Sequence, residues 1–256
     1  MIALTATEVA AATGGRLYPP TLSPALLVHG PVVVDSRQVE VGALFVALPG
    51  ERADGHEFAG AAVAAGAVAV LAARALDELP CVVVENPLTA LGALARAVVD
   101  RAVGLTVIAV TGSSGKTSTK DLLAAVLRRR GATVAPQGSF NNELGAPLTA
   151  LTLDEGTRFL VTEMGARMPG NVTYLCAVTP PRIGVVLNVG SAHVGVFGSR
   201  EVTAAAKGEL VEALPAGGLA VLNADDPLVR GMAARTRCSR WGRWPAPWST
   251  GRPTSP

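Results

Sequence analysis

Residues 107–118 read Val-Ile-Ala-Val-Thr-Gly-Ser-Ser-Gly-Lys-Thr-Ser: an apolar run, two glycines three positions apart, then a lysine followed by hydroxyls. This is the pattern of a buried strand, a tight turn and a helix start. Such a turn points backbone N–H groups and the positive end of a helix at phosphate oxygens. Gly112 and Gly115 allow the left-handed or close-approach backbone, and Ser113, Ser114 and Ser118 fill out the loop and first turn. Lys116 can reach terminal phosphates, and the Thr117 hydroxyl can ligate Mg²⁺. ATP is the natural occupant. The position five before Gly115 is Val110, where the common eight-residue phosphate loop has glycine, so a generic kinase or GTPase is disfavoured.

Further polar residues follow at intervals. Residues 138–149, Gly-Ser-Phe-Asn-Asn-Glu-Leu-Gly-Ala-Pro-Leu-Thr, suit a turn and helix cap around Asn141 and Asn142. Glu163 closes an apolar run, and a carboxylate at a strand end beside phosphates is well placed for a hard cation. Asn188 and His193 follow another apolar run, Lys207 lies in an Ala-rich helical stretch, and Asn223 and Asp225 precede an Asp226-Pro227 helix start. Ser36 and Arg37 form a turn after a short strand, and arginine's planar fork suits a pyrophosphate.

The elements needed to hold these residues follow from periodicity. Strands are expected over 32–34, 44–48, 68–71 and 82–84, with helices over 7–12, 57–65 and 88–102. Beyond Thr106 the alternation is regular: strands 106–110, 132–135, 159–163, 183–188 and 219–222, and helices 115–130, near 147–152, 171–177 and 200–213. That grammar makes a parallel sheet flanked by helices, with ligands at the carboxyl ends of the strands. The expected organisation is a small α/β domain over 1–103, a parallel-sheet phosphate-loop domain over 104–235, and an irregular tail over 236–256. The tail holds all three tryptophans and has no periodicity; a disordered extension and a frameshifted reading of a GC-rich gene both fit its composition.

Composition narrows the class. With 49% hydrophobic and 16% charged residues the chain can bury a real core, and its apolar runs are too short to span a bilayer. A cytoplasmic location without a membrane partner is expected. The three scattered cysteines match neither a disulfide framework nor a zinc-ligand spacing. Six arginines and no acidic residue follow Asp226, yet without lysine or helical periodicity they give no reason to expect nucleic acid.

The shortened loop Thr-Gly-x-x-Gly-Lys-Thr resembles that of the Mur ligases and folylpolyglutamate synthetases, and the later motifs follow in the order found in the Mur ligase family. The resemblance covers about residues 1–235. It implies UDP-substrate contacts at Ser36 and Arg37, substrate-facing asparagines at Asn141 and Asn142, and Mg²⁺ held by Thr117, Glu163 and His193. It further implies Asn188 near the adenine side, Asn223 and Asp225 near the nucleotide, and catalytic roles for Lys116, His193 and a carbamylated Lys207. Ser113-Ser114 and Asn141-Asn142-Glu143 are most similar to the member that adds D-alanyl-D-alanine to UDP-N-acetylmuramoyl-tripeptide, through an acyl phosphate and ATP cleavage, as a monomer. A diaminopimelate- or lysine-adding member, and a non-catalytic nucleotide-binding remnant, stay open. Family members continue into a third domain, so the resemblance also implies a C-terminal truncation and little ligase activity for these 256 residues alone.

Overall fold

The structure, a computed structural model, describes residues 1–50, 53–166, 168–190 and 199–236, together with the backbone of Arg240–Arg243. Two sheets carry it. In the first, β4 (Val32–Val33), β5 (Leu44–Val46), β6 (Ala69–Ala72) and β7 (Cys81–Val83) run parallel, and β2 (Arg16–Tyr18) closes the β7 edge antiparallel. A separate antiparallel ribbon pairs β1 (Leu4–Thr5) with β3 (Leu27–Val28).

Three helices pack on this part, each with a local reason to start or stop. In α1 (Ala6–Thr13) the Thr5 hydroxyl accepts from Glu8 N (3.2 Å) while the Glu8 carboxylate accepts from Thr5 N (2.7 Å), a reciprocal cap, and the helix ends at Gly14 with φ 65°. The short α2 (Ala59–Ala64) follows a 3₁₀ turn, Gly55–Phe58, so the expected helix over 57–65 is split between two helix types. Pro87 opens α3 (Pro87–Arg101) behind an Asn86 cap, and Leu91, Leu94, Ala95 and Val98 form its fully buried stripe.

The second sheet is wholly parallel, in the order β13-β12-β11-β8-β10-β9. Its strands are β8 (Thr106–Thr111), β9 (Thr133–Val134), β10 (Phe159–Glu163), β11 (Ile183–Val186), β12 (Leu219–Leu222) and β13 (Arg240–Arg243). The connecting helices are α4 (Lys116–Leu127), α5 (Gly145–Ala150), α6 (Asn171–Val178), α7 (Arg200–Glu212) and α8 (Pro227–Gly231). Central β8 is buried on both faces, which is why it reads as a continuous apolar run: Ile108 and Val110 pack toward Ala124 of α4, and Ala109 toward the α6–α7 side. After β8 the chain goes outward to β9 and returns to β10, then crosses to β11 on the other side of β8. A crevice therefore opens at the carboxyl end of β8, the place where ligands enter such sheets.

The α/β expectation, with a parallel second sheet flanked by helices, is met, with three differences. Strands β1, β2 and β3, each of two or three residues, add to the expected set. The irregular chain expected beyond 236 instead contributes β13, whose backbone pairs in parallel register with β12, Leu219 opposite Arg240 and Leu222 opposite Arg243. A ladder is made by backbone groups and tolerates side chains that carry no pattern. Finally, the change of pattern near 103 falls at a turn with Gly104 at φ 78°, yet one apolar cluster runs across it: Leu4, Val9, Leu91 and Leu94 pack together with Val107, Leu151 and Leu160.

Candidate functional site

Gly115 caps α4 with φ 79°, a backbone a side chain would resist, and among the described residues no side chain satisfies the first-turn N–H groups. That end of α4 is therefore open to an anion. Gly112 is needed for close approach: a Cβ there would lie 2.9 Å from Leu187 Cβ, at the exit of β11. The loop between the glycines is held from that same exit. Asn188 Oδ1 accepts from the N–H groups of Ser113 and Ser114 (both 3.0 Å), and its Nδ2 donates to Ser114 O (3.2 Å). Gly190 N donates to Ser113 Oγ (2.9 Å). Asn188, expected on the adenine side, thus has both ends of its amide engaged with the loop backbone.

Below the loop lies a carboxylate with both oxygens in use. Glu163, at the end of β10 and only 1% exposed, accepts from Thr117 Oγ1 (2.8 Å) on one oxygen and from Asn141 Nδ2 (2.7 Å) on the other. The helix start and the strand end bring Thr117 and Glu163 into hydrogen-bond contact. A hydroxyl and a buried carboxylate beside an open helix N-terminus form a hard oxygen set, which fits Mg²⁺ rather than a thiophilic metal. Asn142 Oδ1 accepts from Gly145 N (2.8 Å) and caps α5. Asn141, Asn142 and Glu143 line a small solvent-open cleft of about 40 Å³ with Gly165, Asn171, Tyr174 and Leu175.

Lys207 projects from α7 and is 4% exposed. Burial, and then the like charge of Lys116, lowers its ammonium to about 8. His193 lies outside the described residues. Ser118 lies in the first turn of α4. Asn223 donates from Nδ2 to Leu187 O (2.9 Å), and its Oδ1 accepts from Asp225 N (3.0 Å), so both residues sit beside the β11 exit. Ser36 and Arg37 follow β4 of the first sheet, in a 3₁₀ turn capped by Asp35. The exposed Arg37 guanidinium is paired with Asp35 (Nη2 to Oδ2, 2.7 Å), which holds the Asp35 carboxyl at about 2, and among the described residues no hydrogen bond joins this turn to the phosphate loop.

Several positioning groups escaped the sequence reading. Asp226 caps α8 through Oδ1, as its place before Pro227 suggests, while Oδ2 accepts from Val189 N (2.7 Å). Arg200 Nη2 donates to Val189 O (2.8 Å), pinning the β11 exit from the other side. Lys120 is 1% exposed, and its ammonium donates to Pro136 O (2.6 Å) and Gly138 O (3.0 Å) while meeting Asp121 (2.8 Å). One signal was available: the chain has only three lysines, Lys116, Lys120 and Lys207, and two of them were already site candidates.

Comparison with known proteins accounts for this arrangement. A family model described as the Mur ligase middle domain matches residues 110–242, from the end of β8 into β13, and one described as the Mur ligase family, catalytic domain, matches residues 30–109. The chain belongs to the Mur ligase family. Within that family it is 50% identical to the UDP-N-acetylmuramoyl-tripeptide–D-alanyl-D-alanine ligase of Mycobacterium tuberculosis (strain ATCC 25618 / H37Rv), over 92% of this chain and 51% of the relative. To the enzyme of that name from Escherichia coli (strain K12) it is 43% identical, over 76% of this chain and 43% of the relative. A crystal structure of MurF from Acinetobacter baumannii superposes with a TM-score of 0.85 at 33% identity, covering 94% of this chain and 53% of that one. MurF ligase from Thermotoga maritima, solved in complex with ADP, superposes with a TM-score of 0.75 at 37% identity over 83% of this chain and 49% of that one. The chain spans about half the length of the Mur ligases it matches.

Proposed function

We propose that this protein acts in ATP-dependent joining of D-alanyl-D-alanine to UDP-N-acetylmuramoyl-tripeptide, a cytoplasmic step of cell-wall precursor synthesis. The observation that carries the reading is the Thr117–Glu163 pair, 2.8 Å apart beneath an open helix N-terminus at the sheet's switch point. Likeness to enzymes of that name over 92% of the chain supports the choice of substrate.

A carboxylate is a poor electrophile and needs activation before an amine can displace its oxygen. Bound magnesium ATP would supply a phosphoryl group to the tripeptide's terminal carboxylate, leaving ADP; the incoming amine would then attack the acyl phosphate's carbonyl carbon, lose a proton and expel inorganic phosphate. Lys116, with Gly112, Ser113, Ser114, Gly115 and Ser118 around it, would balance phosphate charge from the start of α4. Thr117 and Glu163 would hold the metal, with His193 assigned to a second metal position. Lys207 is suited to carbamylation: its ammonium first gives up a proton, the neutral amine attacks CO₂, an N–C bond forms and a second proton leaves, so a buried cation becomes an anion. Asn141 and Asn142 would face the peptide, Asn188, Asn223 and Asp225 the nucleotide side, and Ser36 and Arg37 the uridine diphosphate end.

Calorimetric titration of the chain with Mg-ATP and with UDP-N-acetylmuramoyl-tripeptide, each separately, tests the reading. Binding of both is expected. Binding of ATP without the UDP-peptide would point to a phosphoryl-transfer enzyme acting on another acceptor, and binding of neither would sink the proposal.

A further inference from the structure

We infer that Asn141 is a positioning residue for the metal-binding carboxylate, through which the peptide-facing loop is coupled to the magnesium site. The inference rests on the reading of Thr117 and Glu163 as metal ligands and deepens it. A carboxylate only accepts hydrogen bonds, so the contact at 2.7 Å from Glu163 Oε1 must be the amide NH₂ of Asn141. That donor fixes one oxygen and leaves the other directed at Thr117 (2.8 Å). A neutral donor has a further consequence. An arginine or lysine at 141 would neutralise Glu163 and compete with a cation, whereas an amide orients the carboxylate and leaves its charge intact.

Asn141 is itself held on the strand that carries Glu163. Its carbonyl accepts from Gly165 N (2.9 Å), and a Cβ on Gly165 would stand 2.9 Å from Asn141 Oδ1 and 3.1 Å from Asn141 O, so only glycine lets the loop close onto β10. Upstream, Lys120 of α4 binds the carbonyls of Pro136 and Gly138, and downstream Asn142 caps α5. The loop over 136–142 is thus fastened to α4 and β10, the two elements that supply the metal ligands, while its other side lines the open cleft. Whatever occupies that cleft acts on Glu163 through Asn141.

The test is Mn²⁺ binding in the presence of ADP, read by electron paramagnetic resonance, on the wild-type chain and on N141A, N141L and N142A, with UDP-N-acetylmuramoyl-tripeptide binding measured in parallel. N141A is expected to weaken Mn²⁺ by roughly ten-fold, the loss typical of an outer partner of a metal ligand. N142A, which removes the acceptor for Gly145 N but keeps the donor to Glu163, should weaken Mn²⁺ less than N141A. The near-isosteric N141L gives the same decision should the alanine variant fail to fold. Unchanged Mn²⁺ affinity in a folded Asn141 variant, with peptide binding lost, would overturn the inference and make Asn141 a substrate contact only. A wild-type chain that takes no Mn²⁺ with ADP would instead remove the ligase reading itself.

Discussion

Lys207 is where residue chemistry can be read most directly from pH. Its ammonium falls from 10.5 to about 8 on folding, so between those values the unfolded chain binds more protons than the folded one. Stability conferred at this position therefore rises with pH across the window of about 8 to 10.5, and below 8 the cost of a buried charge is present in full. Lys207→Met should raise the denaturant midpoint at pH 7 and flatten the slope between pH 8 and 10.5, as followed by urea titration. With ¹³C-labelled bicarbonate, the wild-type chain should show a carbamate resonance that grows from pH 7 to pH 8 and is absent from Lys207→Met. The residues legible in sequence are those whose chemistry demands one type at one spacing: Gly115, Lys116, Thr117 and Glu163 all stand where their motifs put them. Asn188, Asp226 and Arg200 were not legible as supports, because their partners lie on segments that meet only in the fold, such as Ser113 and Ser114 for Asn188.

Among elements, α4 does more than present the phosphate loop. One turn past Lys116 it sends Lys120 into a buried position where two backbone carbonyls accept hydrogen bonds from its ammonium. Lys120→Met keeps the apolar stem and removes the donors, leaving Pro136 O and Gly138 O short of a partner, at a cost of about 1–3 kcal/mol. Urea unfolding would measure that cost. Because the same carbonyls open the loop that ends at Asn141, the variant should also lose peptide binding more than ATP binding. Helices and strands of six residues or more were legible from their periods, and the α/β alternation from residue 106 onward matches nearly element for element. What was not legible was β2 and the β1–β3 ribbon, whose partners are distant in sequence, and β13, where pairing rests on the backbone of an Arg- and Trp-bearing segment.

At the scale of the whole molecule, the two sheets are not independent bodies. Leu94 of α3, fully buried, packs in the cluster that includes Val107 and Leu160 of the second sheet, Arg96 reaches the Ala177 carbonyl (3.0 Å), and Ile2 N donates to Leu153 O (2.8 Å). Leu94→Ala should cost about 2–5 kcal/mol. Scanning calorimetry should show that loss in one cooperative transition, and two separated transitions would contradict a shared core. A composition shift near residue 103 marks where the chain changes style, but sequence periodicity says nothing about which apolar faces will meet. The shared core also sets a length. On the proposed reading, one sheet grips the uridine diphosphate end of the substrate and the other activates the far carboxylate, so the span between them works as a gauge for the peptide stem. A stem shorter or longer by one residue would bring its carboxylate roughly 3.3–3.6 Å out of place. Such a substrate would still be held at its nucleotide end and would fail at transfer, so selection by stem length should show in kcat more than in affinity.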